Sequence, residues 1–241
     1  MAELEVAKST KKIIETAKEK DQSRWHKIKE IGVEIAVIVF AVTLSIAFHS
    51  WSESRHEQHE VHNFLKGVSV DLKKDMAEMK EDIEAYKNQK KAFNYLGGIP
   101  KSQFANNDRL QHYAPYFYNF TGYGGNTGRY EGFKSSGKIG FIENDHLQNS
   151  ILDLYEEKIP LLSVSTDFYK TQKLKFSDYI TENTVDYPSG NITKVMASDP
   201  IKNRSQIYLA SVNQIISNYE NCITQMEEIV KEIDKEHPHK K

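Results

Sequence analysis

Three histidines, His56, His59 and His62, recur at three-residue steps with Glu57 and Glu60 between them. Residues of these types could hold a transition metal or titrate near pH 6. On a helix, however, three-residue steps drift around a broad face, so the imidazoles do not converge on one point. Both His-Glu-x-His tetrads also fall one residue short of the spacing a zinc-protease helix requires. A solvated face is the simpler reading. Metal binding between subunits, or pH sensing, is the alternative, with His62 on the seam if helices assemble in parallel.

Gly132-Phe133-Lys134-Ser135-Ser136-Gly137-Lys138 has the spacing of a phosphate-binding loop as far as its lysine. The next residue is Ile139, so the hydroxyl that would hold magnesium is missing. A helix-turn with close packing at Gly137 is the expectation. Gly122-Tyr123-Gly124-Gly125 fails the dinucleotide fingerprint, since threonine stands at position 127. Glu34 lies one turn inside an apolar run. A carboxylate there is a candidate proton carrier or interhelical partner, or else it sits at headgroup level. Tyr113, Tyr116, Phe117, Tyr118, Phe120, Tyr123 and Tyr130 form the densest aromatic cluster. Such residues can plug a bundle core or offer a surface to a sugar or a protein partner. Cys222, the single cysteine, reads as a small buried hydrophobe and excludes an intramolecular disulfide. No catalytic, cofactor-binding or metal-ligating residue is assigned. The chain is expected not to be an enzyme and to need no cofactor.

The elements that carry these residues are helical. The chain has 241 residues, only 12 glycines and 6 prolines, and long Lys/Glu-rich periodic stretches between them. From Leu65 a heptad runs through Leu72, Met79, Tyr86 and Phe93, with Met76 and Ile83 at a second position that Ser69 and Lys90 interrupt. Gly97-Gly98-Ile99-Pro100 ends that helix. Asn106–Asp108 could cap a short helix through Leu110 and Tyr113, and another runs from about Arg129 to Lys138. Asn144 or Asp145 caps a helix striped by Leu147, Ile151, Leu154, Tyr155, Ile159, Leu162, Tyr169, Phe176 and Ile180. Pro160 should kink it. Pro188, Gly190 and Pro200 mark a loop. Val212, Ile216, Tyr219, Ile223, Met226, Val230 and Ile233 form the last stripe, before His237-Pro238. The fold class predicted is all-α, with no strand pattern: a long-helix, up-and-down bundle.

Ahead of the bundle, Ile31–Trp51 is long and apolar enough to cross a bilayer, framed by Trp25 and Trp51. The only small-residue cleavage signal, Ser45-Ile46-Ala47, lies inside the apolar run, so an uncleaved anchor is expected. Lys18, Lys20, Arg24, Lys27 and Lys29 precede the segment, whereas Arg55 and Lys66 follow it. The positive-inside rule then makes 1–30 a cytoplasmic tail, with a small apolar face at Ile13, Ile14 and Ala17. Residues 31–51 form the transmembrane helix. Residues 52–241 form an extracytoplasmic bundle, periplasmic if the membrane is an inner one.

Glu34-Ile35 opening the span, Trp51-Ser52-Glu53-Ser54-Arg55 closing it, and Leu65 and Asp71-Leu72 beyond it resemble an uncharacterised family of single-pass membrane proteins from Bacteroidota. Ser135-Ser136-Gly137-Lys138-Ile139 and Ile142-Glu143-Asn144-Asp145-His146-Leu147 extend the resemblance, which covers roughly 28–155. His49-Ser50 stands where that family has paired asparagines, and Val33 where it has glycine. The resemblance implies the same address and fold, and no mechanism.

A formal charge of −2 gives no reason to expect a nucleic-acid partner. The expected partners are the lipid bilayer, an unidentified envelope protein, and a second copy of the chain. A structural or interaction protein is the first reading. A sensory or ligand-binding bundle coupled to a separate partner is the second.

Overall fold

The computed structural model describes residues 2–104, 107–187 and 189–237, with side chains from Trp25 onward apart from Lys27 and Glu30. The side chains of Ile13, Ile14, Ala17 and the basic residues before Trp25 lie outside that description, as do Asn106, Pro188 and Pro238. Two compact units divide at Glu57 and Gln58.

The described residues contain helices and no strand. The first, α1, spans Ala2–Gly98 and runs through both units. Within the first unit, the apolar window has a mean hydropathy of 2.5 and none of it is buried. Thr43 and Ser45 return their hydroxyls to the carbonyls of Val39 and Ala41, so neither presents an unpaired polar group.

The second unit is a four-layer bundle. α2 (Asp108–Tyr118) and α3 (Gly128–Ser135) return beside α1, joined by an irregular segment, 119–127. Contacts fix the antiparallel sense. Phe117 meets Phe93, Tyr123 meets Asp75, Phe133 stacks on Phe64, and Gln58 reaches the Phe141 carbonyl. α4 (Asp145–Asp153) and α5 (Ile159–Asn183) form the third layer. After the short α6 (Ile192–Met196), α7 (Asp199–Glu236) closes the bundle. It runs antiparallel to α1, with Tyr208 at Phe93, Tyr219 at Tyr86 and Asp234 at Lys73.

Local chemistry explains the boundaries. Asn107 caps α2 and Asn144 caps α4, each side-chain oxygen accepting the N–H three residues on. Gly137 ends the turn after α3 at φ 75°, a conformation an L side chain rarely adopts. Nothing lies where a Cβ would project there, so the glycine serves the backbone angle and not the close packing expected of it. The helix expected to reach Lys138 stops at Ser135, and a 3-10 turn, Lys138–Phe141, follows. Pro160 stands just after a change of helical register. A single π turn, Leu154–Lys158, precedes it, closed by the Ile159 N–H on the Leu154 carbonyl, and α5 continues directly from that turn, with Lys158 at helical angles (φ −69°, ψ −49°). Proline lacks the N–H that a continuous helix would use, and the wider register of the π turn directly before it is the local departure that accompanies that loss.

Candidate functional site

The heptad seam is buried as its spacing requires: Leu65, Leu72, Met79, Tyr86 and Phe93 are all inaccessible. Beside it runs a second column at the same period, Val68, Asp75, Asp82, Gln89 and Leu96. Its three middle members are polar. Asp75 and Gln89 are buried, and Asp82 is partly so.

Each of the three accepts a hydrogen bond from a tyrosine on a different part of the chain. Tyr123, in the 119–127 segment, donates to Asp75 Oδ2 at 2.9 Å. Tyr219 of α7 donates to Asp82 Oδ2 at 2.9 Å, and Tyr169 of α5 to Gln89 Oε1 at 2.9 Å. Asp75 also takes the Asn126 side-chain amide at 2.5 Å and the Asn126 backbone N–H at 3.2 Å. The column is a ladder of acceptors, and each rung binds a different element.

Lys173 completes the upper rung. It is 1% exposed, and its ammonium donates to Gln89 Oε1 at 3.0 Å, the Tyr116 carbonyl at 3.0 Å and the Asn119 carbonyl. The rings of Phe120, Tyr169 and Phe93 surround it at 5.3–5.9 Å. Tyr86 donates to the Thr121 carbonyl at 2.5 Å, and the Gln89 amide to the Thr121 hydroxyl at 3.3 Å. The reason is a matter of backbone accounting. Segment 119–127 lies where a regular bundle would place helix, so its carbonyls lack helical donors and must find others. Lys173 and Tyr86 supply them.

Burial pushes the Lys173 ammonium down to about 7. Burial raises Asp82, with Glu78 and Glu81 adding to the effect and the Tyr219 hydrogen bond opposing it. Tyr86, Tyr123, Tyr169 and Tyr219 are all raised, first by burial. These phenols therefore stay protonated and keep donating. The ladder ties 119–127, α5 and α7 to one face of α1. It has no open face on which Lys173 could meet a substrate.

A second polar cluster sits at the π turn. Tyr130 stacks on Tyr155 with ring centroids 4.3 Å apart, and its hydroxyl donates to Glu156. Lys134 reaches the same carboxylate at 2.5 Å and, through that bond first, holds Glu156 below its ordinary range. π turns often mark functional positions. This one places Tyr155 and Glu156 on the two sides of Tyr130.

The histidines separate. His62 Nδ1 lies 3.0 Å from His237 Nδ1 at the end of α7, whereas His59 pairs with Asn63. Burial lowers the His62 pKa, and His237, Lys66 and His59 lower it further. His56 is exposed in the other unit. Among the described residues, no group of three or more His, Cys, Asp or Glu could hold a metal ion. Glu34 is exposed within the apolar stretch.

The phosphate-loop look-alike lies in and after α3. Its Lys138 is paired with Glu60 at 2.7 Å. The aromatic cluster disperses along the bundle. Phe117 and Tyr130 are core, while Tyr113, Tyr116 and Tyr123 pack against it. Tyr118 and Phe120 stay exposed. Cys222 is buried as expected, and burial pushes its thiol up to about 11.

These features define an all-helical protein in which a long unburied apolar helix precedes a bundle wired internally by buried polar contacts. The chain belongs to the family of unknown function DUF6090, which it matches over residues 34–182. The matched span contains Asp75, Gln89, Tyr123, Asn126, Tyr169 and Lys173, and stops before Tyr219 and His237. No curated protein and no solved structure matches the chain.

Proposed function

We propose that the chain is a single-pass membrane-anchored protein that works by association, with 1–30 in the cytoplasm and the bundle on the far side of an inner membrane. The observation that carries this reading is the unburied apolar window. Ile31, Ile38, Phe40, Phe48 and Trp51 are each more than half exposed. An apolar patch that large is unfavourable in water and ordinary in lipid. The helix needs a solvent for that face, and a bilayer is the one its length suits.

The association half of the reading rests on where apolar surface remains in the bundle. The α7 stripe, with Val212, Tyr219, Ile223 and Met226, is taken up in the chain's own core. On α5, by contrast, Leu161, Val164 and Phe168 are exposed at steps of three and four residues, the spacing of a seam for another helix. Alkaline carbonate extraction of native membranes tests the anchor: the chain stays in the pellet, and release into the supernatant refutes it. Crosslinking in those membranes tests the surface. L161E with F168E abolishes crosslinked species without altering helicity, and unchanged species reject that face.

A further inference from the structure

Two adjoining hollows share one pair of tyrosines. The first, about 310 Å³, lies between α2 and α6. Phe104, Phe117 and Met196 form its buried floor. The second, about 450 Å³, lies against the end of α5, at Ile180, Thr181 and Thr184. Tyr118 and Tyr187 line both. Each volume falls within the range of small-molecule sites.

The chemistry of the walls is selective. Among the described residues, no Asp, Glu, Lys, Arg or His lines either hollow. Gln111 and Thr193 line the first with exposed side chains that have no hydrogen-bond partner among the described residues, and the hydroxyls of Tyr118 and Tyr187 have none either.

Tyr187 is 75% exposed, so its own packing does not hold it there. The turn that carries it is built with unusual care. Asp186 adopts φ 57°, a left-handed conformation that aspartate tolerates better than most residues. The Asn191 side chain accepts the Val185 N–H at 2.6 Å and donates to the Asn183 carbonyl at 3.0 Å. Gly190 N–H closes on the Asp186 carbonyl at 2.6 Å, and a Cβ at Gly190 would strike the Val185 carbonyl. These bonds hold the backbone around Tyr187, while its ring, with no hydrogen-bond or ring-stacking partner among the described residues, is left for a ligand to cover.

We propose that this double cleft binds an uncharged oligosaccharide, with one sugar ring in each hollow and the faces of Tyr118 and Tyr187 stacked against the C–H faces of the rings. The unpartnered Gln111 amide and Thr193 hydroxyl of the first hollow, and the tyrosine hydroxyls shared by both, complement sugar hydroxyls. Thr181 and Thr184 of the second donate instead to helix carbonyls. The uncharged lining disfavours acidic sugars and phosphates. The inference does not depend on membrane anchorage. A failed carbonate test leaves it standing, and its own failure leaves the anchor standing.

The test uses the full chain in a sugar-free detergent, with cellobiose, maltotriose and diacetylchitobiose as probes, followed by saturation-transfer NMR and calorimetric titration. At least one of the three should bind with a Kd on the order of 1 mM, typical of a small, solvent-open site. Y118A and Y187A should each weaken it about tenfold or more, Y187A at an unchanged melting temperature because its ring is 75% exposed. Y187F, which keeps the stacking face, should retain most of the affinity. Q111A gives a second reading should either tyrosine variant melt early, and affinity unchanged in Q111A would then count against the site. Three results overturn the proposal: no binding by any of the three sugars, binding that survives in the Y118A/Y187A double variant, or binding of p-cresol or digalacturonate where the neutral sugars fail.

Discussion

Lys173→Met removes the titrating ammonium from the ladder and keeps an unbranched side chain one atom shorter. The lysine falls from 10.5 to about 7 in the folded chain. At 1.36 kcal/mol per unit, that shift corresponds to about 5 kcal/mol of unfavourable interaction for the charged form. The sign follows from proton binding. Between pH 7 and 10.5 the unfolded chain binds a proton that the folded chain does not, so stability rises with pH across that window and is lost as pH falls through 7. The wild type should therefore gain about 2–3 kcal/mol relative to K173M between pH 7 and pH 9. Superimposed on this is a constant loss in the variant. The carbonyls of Tyr116 and Asn119 lose the lysine as donor, at about 1–3 kcal/mol each, while Gln89 keeps Tyr169. Urea unfolding followed by far-UV circular dichroism, repeated from pH 6 to 9.5 on both proteins, reads the two terms separately. A wild-type-minus-variant difference that stays flat across that range would refute the reasoning, because it would mean that Lys173 titrates as it does in the unfolded chain.

Asp75→Ala should cost about 3 kcal/mol and expose 119–127 to limited proteolysis before the rest of the bundle, since Tyr123 and Asn126 lose a shared buried acceptor. Protease resistance equal to wild type would count against that anchorage. His62→Gln should make the bundle less sensitive to acid. The folded-state pKa of His62 is lowered, so its contribution to stability is present above about pH 6.5 and is lost as pH falls through the folded value. Acid titrations of the two proteins that superimpose would rule this out. Ile223→Asp should unfold the chain, because Ile223 lies in the core of its own bundle. A well-folded variant that had merely lost a partner would return that residue to an intermolecular seam.

What was legible in the sequence was the apolar periodicity. Leu65 through Phe93 on α1, and Leu147 through Ile180 on α4 and α5, are buried at the positions their spacing dictates. The buried polar residues were not legible, because periodicity counts apolar side chains and treats a polar one as an interruption. The α5 stripe skips from Leu162 to Tyr169 to Phe176, and the steps between them are filled by Thr166 and Lys173, both buried. That gap was the available signal. So was the seven-residue repeat of Asp75, Asp82 and Gln89 between Val68 and Leu96. The His62–His237 contact had no local signal at all, being made across 175 residues. The tyrosine cluster was legible in part: Phe117 and Tyr130 plug the core and Tyr113, Tyr116 and Tyr123 pack against it, but sequence closeness could not show that its members fall on successive levels of the bundle or that Tyr118 and Phe120 keep large exposed faces.

The ladder also answers a problem that the seam creates. Leu65, Leu72, Met79, Tyr86 and Phe93 repeat at seven residues, so a neighbouring element displaced by one heptad would still meet large apolar side chains. The rungs differ from one another. Asp75 needs Tyr123 and Asn126, Asp82 needs Tyr219, and Gln89 needs Tyr169 and Lys173. A displaced layer would strand buried donors and acceptors at about 1–3 kcal/mol each. If the polar column serves register, making it apolar with D75L, Q89L and K173L should preserve helix content while destroying uniqueness. The triple variant also leaves Tyr123, Asn126, Tyr169 and the carbonyls of Tyr116 and Asn119 without these partners, so stability falls on either reading and loss of specificity is the distinguishing readout. Far-UV circular dichroism should be retained, and amide NMR resonances of 119–127 should broaden or double. Sharp single resonances in the triple variant would show that apolar packing alone sets the register and that the ladder is only its consequence.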